Sequence, residues 1–510
     1  MPQLTPHGIK LAVHIIETDF GKRASEVCEC LLRRGTLTMA MISRFSKLSS
    51  VKVRDCLLNL IQHNCIQAFA LEQEGGARDT TLVVTQYMAL FDNIIHRLRF
   101  PKFMTIASKD LDKESLEILE GLLYHGRLTF TQILDRALTS SNAGNQDTYH
   151  EKFIQLVHSR FLERCPIAEP LISLLAEGET PAKKGGGRSK IVVKEVTLEE
   201  RALAAAILMD AERFSVSDDG RNETKKLRVK VGEKRKQDTR DKDIMEETKE
   251  SLWRVNFDEF INHLRIKACI DYVTTQYDND TAVIVNSMLE GIKCTENTVS
   301  LSLISLMEVI KSKGLTMSIE RLRCSLQQLD FCSNDADMYC INLKDTIKKA
   351  QMEEVESIVK NRYGISEFRM FRALSNGRPL DTNKISERTF VDKKTTPKLL
   401  FKLWKDNYIQ MEKVSTGGAR QTDYFLWRLK KDNLWHQVLD ELYHAALNLR
   451  LRYDHEVDQD REIHSFAAEK VPPEIQKRKE RLIKVRFLLD SSLMKLDDAI
   501  MLFHDFLLKR

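Results

Sequence analysis

The sequence predicts a mainly α fold with small β-wings: four tandem extended winged-helix domains followed by a C-terminal coiled-coil or helical-hairpin segment. Three observations carry this expectation. A motif of N-x-I-Q, a short strand, G-G-A-R and a second strand occurs twice, at Asn64–Gln67 with Gly75–Arg78 and at Asn407–Gln410 with Gly417–Arg420. Each copy follows three helical patterns, and helix, helix, helix, strand, glycine-tipped turn, strand is the order of a winged helix. Ile475, Leu482, Leu489, Leu496 and Phe503 then recur every seven residues, the spacing of a helix packed on a partner helix.

Taken in order, KRASEVCECLLRRG places Val27, Leu31 and Leu32 on one side and stops at Gly35, as a C-terminal cap should. TLTMAMISRFS follows. SSVKVRDCLLNLIQHN then opens on two serines and aligns Val53, Cys56, Leu57, Leu60 and Ile61. The fourth module repeats the scheme with ISEFRMFRALSNG, LDTNKISERTF and KKTTPKLLFKLWKDN, where Pro397 suits a first helical turn. Two weaker copies lie between, over 113–165 with a wing expected to run into 170–196, and over 281–343 with SNDAD as its wing tip. Flanking helices are expected at 87–100 and 432–453. The resulting layout is 1–108, 109–200, a basic and largely disordered linker at 201–250, 251–363, 364–456, and the helical C-terminus 457–510.

A chain of 510 residues holds roughly three to five domains. With 42% hydrophobic and 30% charged residues it has the composition of a helix-rich globular protein. The net charge of +5 is too small to identify a partner, so any basic surface must arise from local clustering. No run of about 18 apolar residues is present, and the first residues lack a secretory pattern. The scattered cysteines show no paired C-x-x-C, which points to reduced thiols in an intracellular protein.

Catalytic and cofactor signatures are missing: there is no phosphate-binding glycine loop, no H-E-x-x-H and no G-x-S-x-G. The histidines show no ligand spacing, and Asp497-Asp498 reads as a solvated pair. No enzyme, no cofactor and no metal site are expected.

The candidate binding residues are basic. Lys398, Lys402 and Lys405 share one helical face opposite Leu400, Leu403 and Trp404, which are expected to be buried. Lys393 and Lys394 add charge at the start of that helix, and Arg420 tips the wing. This stripe could track phosphates without choosing a sequence, or it could be an ordinary solvated face. In module one, Lys52, Arg54 and Arg78 are interrupted by Asp55 and Glu74, which favours a protein contact. The mixed-charge helix of module three reads as structural. Between 221 and 240, nine basic residues (Lys225, Lys226, Arg228, Lys234, Arg235 and Lys236 among them) face three acids, and the run carries too few apolar residues to bury a core. It could be a nuclear-import signal, a basic loop sweeping DNA, or a solubilising linker.

The stretches HGIKLAVHIIETDFG, LLRRGTLTMAMI, VRDCLLNLIQHNCIQ, EGGARDTTLVV and NYIQMEKVSTGGARQTDYFLWRL resemble the tandem extended-winged-helix subunit of eukaryotic RNA polymerase III. That subunit is the largest of the enzyme's specific heterotrimer and a paralogue of the transcription factor IIE alpha subunit. The resemblance implies a nuclear, non-catalytic subunit on the polymerase clamp, joined by two smaller subunits. It also implies contact with transcription factor IIIB and promoter DNA, in recruitment, DNA opening and initiation of transfer RNA and 5S ribosomal RNA synthesis. A free-standing winged-helix regulator of transcription is the alternative; the heptad C-terminus and the lysine-poor third module suit an assembled subunit better.

Overall fold

The computed structural model describes residues 4–74, 81–140, 146–173, 196–216, 251–289, 298–312, 317–328, 338–416, 422–465 and 473–506. The chain forms two compact units, Ala12–Phe260 and Met1–Leu11 together with Ile261–Arg510. Among the described residues no helix is long and apolar enough to cross a membrane.

In the unit Ala12–Phe260, module one is built from helices Lys22–Arg34, Met39–Ser46 and Ser50–Gln62. Val27, Leu31, Ile42, Val53, Leu57 and Leu60 meet in its core. Strands Ile66–Glu74 and Thr81–Ala89 pair antiparallel with Ile66 opposite Ala89, and Leu37 bridges Tyr87 from the loop between the first two helices. The flanking helix expected from 87 begins only at Phe91, because the second strand runs on to Ala89.

Helices Lys113–His125, Phe130–Ser140 and Gln146–His158 form module two. Its wing departs from the expectation. Leu171–Ser173 does not return along module two but adds a parallel strand to module one, with Ala70 opposite Leu171. The strand that completes module two is Leu252–Val255, which lies between Leu128–Thr129 and Leu162–Arg164 and is antiparallel to both. A boundary at 251 therefore cuts through the sheet of module two. The alternation explains the placement: Trp253 and Val255 point inward, and the Trp253 ring meets Phe153 edge-on at 5.0 Å.

The two modules dock through backbone. Arg127 N–H donates to Gln62 O over 2.9 Å, and Gln62 Nε2 donates to the carbonyls of His125 and Arg127. Gly126 sits at φ +78°, and a Cβ there would stand 2.1 Å from Gln62 O. Only glycine meets both demands.

The other unit holds modules three and four. Module three comprises helices Asn279–Leu289, Leu303–Ser312 and Ile319–Gln328 and an antiparallel pair, Thr298–Ser302 with Met338–Asn342. Its SNDAD tip lies outside the described residues. Module four comprises helices Ile365–Ser375, Thr382–Thr389 and Thr396–Lys405 and a three-stranded sheet in which Thr422–Arg428 pairs with both Gln410–Thr416 and Leu380–Asp381. Helix Leu343–Tyr363 precedes it.

Three modules end their third helix in one way. Asn64, Arg160 and Asn407 adopt left-handed backbone, at φ 58°, 64° and 62°. The next N–H reaches back to the carbonyl five residues earlier: Cys65 to Leu60, Phe161 to Leu156 and Tyr408 to Leu403. This is the Schellman closure, and asparagine tolerates its left-handed step better than most non-glycine residues.

Helices Lys431–Ser465 and Pro473–His504 close the chain. Trp435 lies 5.5 Å from the Phe503 ring while Arg486 reaches Asp460 at 3.2 Å, so the pair runs antiparallel. Along the expected seam, Leu482 and Phe503 are buried but Leu489 and Leu496 are half-buried, and the Ile475 side chain lies outside the described residues. Leu493 and Ile500 are buried more deeply than either half-buried seam leucine. The reason is a second neighbour: Gln351 of helix Leu343–Tyr363 donates to Leu502 O over 2.6 Å. Asp497, expected on the solvated side, is buried, while Asp498 is exposed.

Candidate nucleic-acid interface

Helix Thr396–Lys405 is set by three local features. Pro397 occupies its first turn, Thr396 Oγ1 donates to Asp392 O over 2.9 Å, and Asn407 closes the far end. Thr396, Leu400 and Leu403 are buried and turn the opposite face outward. Lys393, Lys394, Lys398, Lys402 and Lys405 are all exposed.

They are not equivalent. Lys393 Nζ lies 3.5 Å from Glu387. Lys402 Nζ lies 3.5 Å from the buried carboxylate of Glu367 and 5.3 Å above the Tyr363 ring, so its charge is partly spent inside the module. Among the described residues no carboxylate lies within ion-pair distance of Lys394, Lys398 or Lys405. Arg420 lies outside the described residues.

Trp404 is not in the core. It is 40% exposed and Phe401 is 54% exposed, with ring centroids 5.4 Å apart. Phe390, left-handed at the end of helix Thr382–Thr389, is 91% exposed. Phe401 stands three residues after Lys398 and four before Lys405, which places it between them on the outer face. Sequence reading missed these aromatics because Trp404 sits at the edge of the apolar arc, where helical spacing alone does not separate core from rim.

On module one, Lys52 and Arg54 are exposed, and Arg54 pairs with Asp55 at 3.3 Å, which lowers the net charge of that face. Module one also exposes Met41, Phe45, Val51 and Leu58, and the Arg34 guanidinium lies 3.9 Å above the Phe45 ring. Arg78 lies outside the described residues.

The basic run 221–240, including Lys225, Lys226, Arg228, Lys234, Arg235 and Lys236, also lies outside them, but its flanks are fixed. Glu163 is buried and accepts hydrogen bonds from Arg213 Nε on one oxygen and from Arg254 Nε, at 2.7 Å, on the other. Arg213 also reaches Asn256 at 3.3 Å and Asp258 at 3.4 Å. Burial alone would lower the Arg213 pKa, and the adjoining Glu163 charge reverses this into a rise.

Burial pushes the Cys65 thiol up to about 12, the Cys165 thiol to about 11 and the Cys28 thiol well above its usual value, which disfavours the reactive thiolate. Among the described residues no group of His, Cys, Asp and Glu is arranged to hold a metal ion.

These features define a chain of winged-helix modules whose outer faces carry lysine and aromatic side chains. Three family models match it: the RNA polymerase III subunit RPC82 helix-turn-helix domain over residues 10–71, RNA polymerase III subunit RPC82 over 151–361, and the POLR3C C-terminal winged-helix domain over 355–429. The chain is 23% identical to DNA-directed RNA polymerase III subunit RPC3 of Bos taurus and likewise 23% identical to that of Homo sapiens, in each case over 90% of this chain and 86% of the relative. Identity to the subunit rpc3 of Dictyostelium discoideum is 21%, over 91% of this chain and 93% of the relative. The chain belongs to the RNA polymerase III subunit RPC3 family.

Proposed function

We propose that the chain is a non-catalytic subunit of nuclear DNA-directed RNA polymerase III. The observation that carries this reading is coverage: models of one subunit family match its beginning, middle and end, and relatives bearing that subunit's name align over 90% of it. The free-standing regulator is not favoured, since all of these relatives carry the name of a polymerase subunit.

In the same reading the four winged-helix modules and the C-terminal helical pair form an assembly surface. Its partners would be two smaller subunits and the clamp of the largest subunit, with transcription factor IIIB and promoter DNA nearby during recruitment, DNA opening and initiation. Module four supplies the DNA-facing candidates Lys394, Lys398 and Lys405. Lys52 and Arg54 of module one are weaker candidates, because Asp55 offsets them.

The test is affinity purification of the tagged full chain from nuclear extract, with co-purifying proteins identified by mass spectrometry. Recovery of the large polymerase III subunits in near-equal amounts is the expected result. Recovery of chromatin proteins without polymerase would overturn it in favour of the regulator.

A further inference from the structure

We propose that the groove between helices Lys113–His125 and Phe130–Ser140 of module two receives a basic, apolar-anchored segment of a neighbouring polymerase subunit. One bulky apolar side chain seats over Gly121, and an adjoining Lys or Arg meets Glu120. The proposal rests on the reading of the chain as a polymerase subunit and names a docking point together with the chemistry of what it holds.

The groove encloses about 460 Å³ and is open along one side. Its floor is apolar, built from the buried side chains of Ile118, Leu128, Ile133 and Ala137. An open apolar slot of this kind suits a side chain carried in on another chain better than an enclosed small ligand. Gly121 lies in the wall, in the middle of helix Lys113–His125. A Cβ there would meet nothing within 4 Å, so the packing of this chain does not call for glycine. Glycine weakens a helix interior relative to alanine. What it does here is keep the groove deep. One turn further on, Tyr124 stands 75% exposed at the lip, its ring edge-on to His125 at 4.8 Å. Tyrosine beside an apolar floor is the composition that protein interfaces favour at their centres.

The rim charges select the sign of the partner. Arg136 Nη1 donates to His125 Nε2 over 2.7 Å, so the one cation among the lining residues is turned onto its own wall. Burial, followed by the Arg136 charge, lowers the His125 pKa and keeps that ring neutral as the acceptor. Glu117 accepts from Tyr149 over 2.6 Å and lies 3.9 Å from Lys113. Glu120 is exposed, and among the described residues no cation lies within ion-pair distance of it. It stands four residues before Tyr124 and next to Gly121, so the unmet charge and the apolar seat fall within one helical turn. A phosphate backbone would be repelled here, whereas Lys or Arg complements the carboxylate.

The experiment places the photocrosslinker p-benzoylphenylalanine at position 124 of the tagged full chain, purified together with its polymerase. The crosslinked peptide is sequenced by mass spectrometry. The expected adduct is a segment of another polymerase III subunit that carries a bulky apolar residue with Lys or Arg within one turn of it. A labelled synthetic copy of that segment is then titrated with the purified full chain by fluorescence anisotropy. Gly121→Leu fills the groove and should weaken binding about tenfold, with a thermal midpoint unchanged or raised. Glu120→Lys should weaken it about threefold. A peptide whose basic residue is reversed to Glu should bind the Glu120→Lys chain better than the wild type.

If polymerase co-purifies but position 124 gives no adduct, or captures an acidic segment or nucleic acid, the docking proposal is overturned and the subunit reading stands. An affinity unaffected by Gly121→Leu overturns it equally. If no polymerase co-purifies, both fail.

Discussion

Arg254 Nε donates to Glu163 Oε1 across 2.7 Å, joining two strands whose residues stand 91 positions apart. Arg213 takes the other carboxylate oxygen, so both flanks of the segment 217–250 are fixed on one buried side chain. The described residues on either side of the basic run thus meet at Glu163, in the sheet of module two.

Replacing Glu163 with Gln leaves two half-buried guanidinium groups without their counter-charge. Loss of one partner from a buried ion cluster costs about 3–5 kcal/mol, and the partial exposure of Arg213 and Arg254 places this case near the lower end. Urea unfolding of the Glu163→Gln chain should show that loss. A change below about 1 kcal/mol would mean that the cluster is solvated and contributes little.

The junction of modules one and two predicts a steric effect. A Cβ at Gly126 would collide with Gln62 O at 2.1 Å, and the residue is already at φ +78°. Gly126→Ala is therefore expected to cost about 1–3 kcal/mol from the backbone conformation alone, with the clash added. Amide exchange should rise at Arg127 and around Gln62, where the inter-module hydrogen bonds would separate. Wild-type protection at those amides would show that the junction can yield.

His63 introduces a pH dependence. Burial, followed by the charges of Arg97 and His125, lowers its pKa to about 4 from an ordinary 6.5. The folded chain thus binds this proton less readily than the unfolded chain. The associated stability is fully present above about pH 6.5 and is lost as pH falls towards 4. Because the ring is partly exposed the amount is discounted to about 1–2 kcal/mol. His63→Leu should flatten the fall in thermal midpoint between pH 6.5 and 4; an undiminished fall would place its origin elsewhere.

The C-terminal pair predicts a graded response. Leu482→Asp sets a charge in a buried position and should lower the thermal midpoint strongly, whereas Leu489→Asp, at a half-buried one, should cost visibly less. Equal losses at both positions would restore the regular seven-residue seam that the burial pattern does not follow.

The doubled N-x-I-Q was legible because its asparagine performs a local backbone task, a left-handed step into a strand, and local tasks leave local residue choices. Arg160 performs the same step in module two without that residue choice, which is why that copy looked weak. The strand Leu252–Val255 was not legible as part of module two, since pairing across a long insertion has no local signature. Trp404 and Asp497 escaped for a related reason: periodicity locates the centre of a buried face, while its edges depend on what packs alongside. The lysines were visible, but the engagement of Lys402 by Glu367 and Tyr363 needed three dimensions.

The place of Leu252–Val255 also bears on the order in which the chain acquires structure during synthesis. Module one has both strands of its hairpin by residue 89, whereas module two lacks the middle strand of its sheet until residue 255 has left the ribosome. For that interval Leu128–Thr129 and Leu162–Arg164 present open edges with no strand between them. The closing entropy of such a long excursion rises only with the logarithm of its length, so once the strand arrives the insertion adds little to the final cost. The penalty falls on time: the nascent chain carries an unfinished sheet through the translation of nearly ninety residues, and a chaperone that shields strand edges would act in that window.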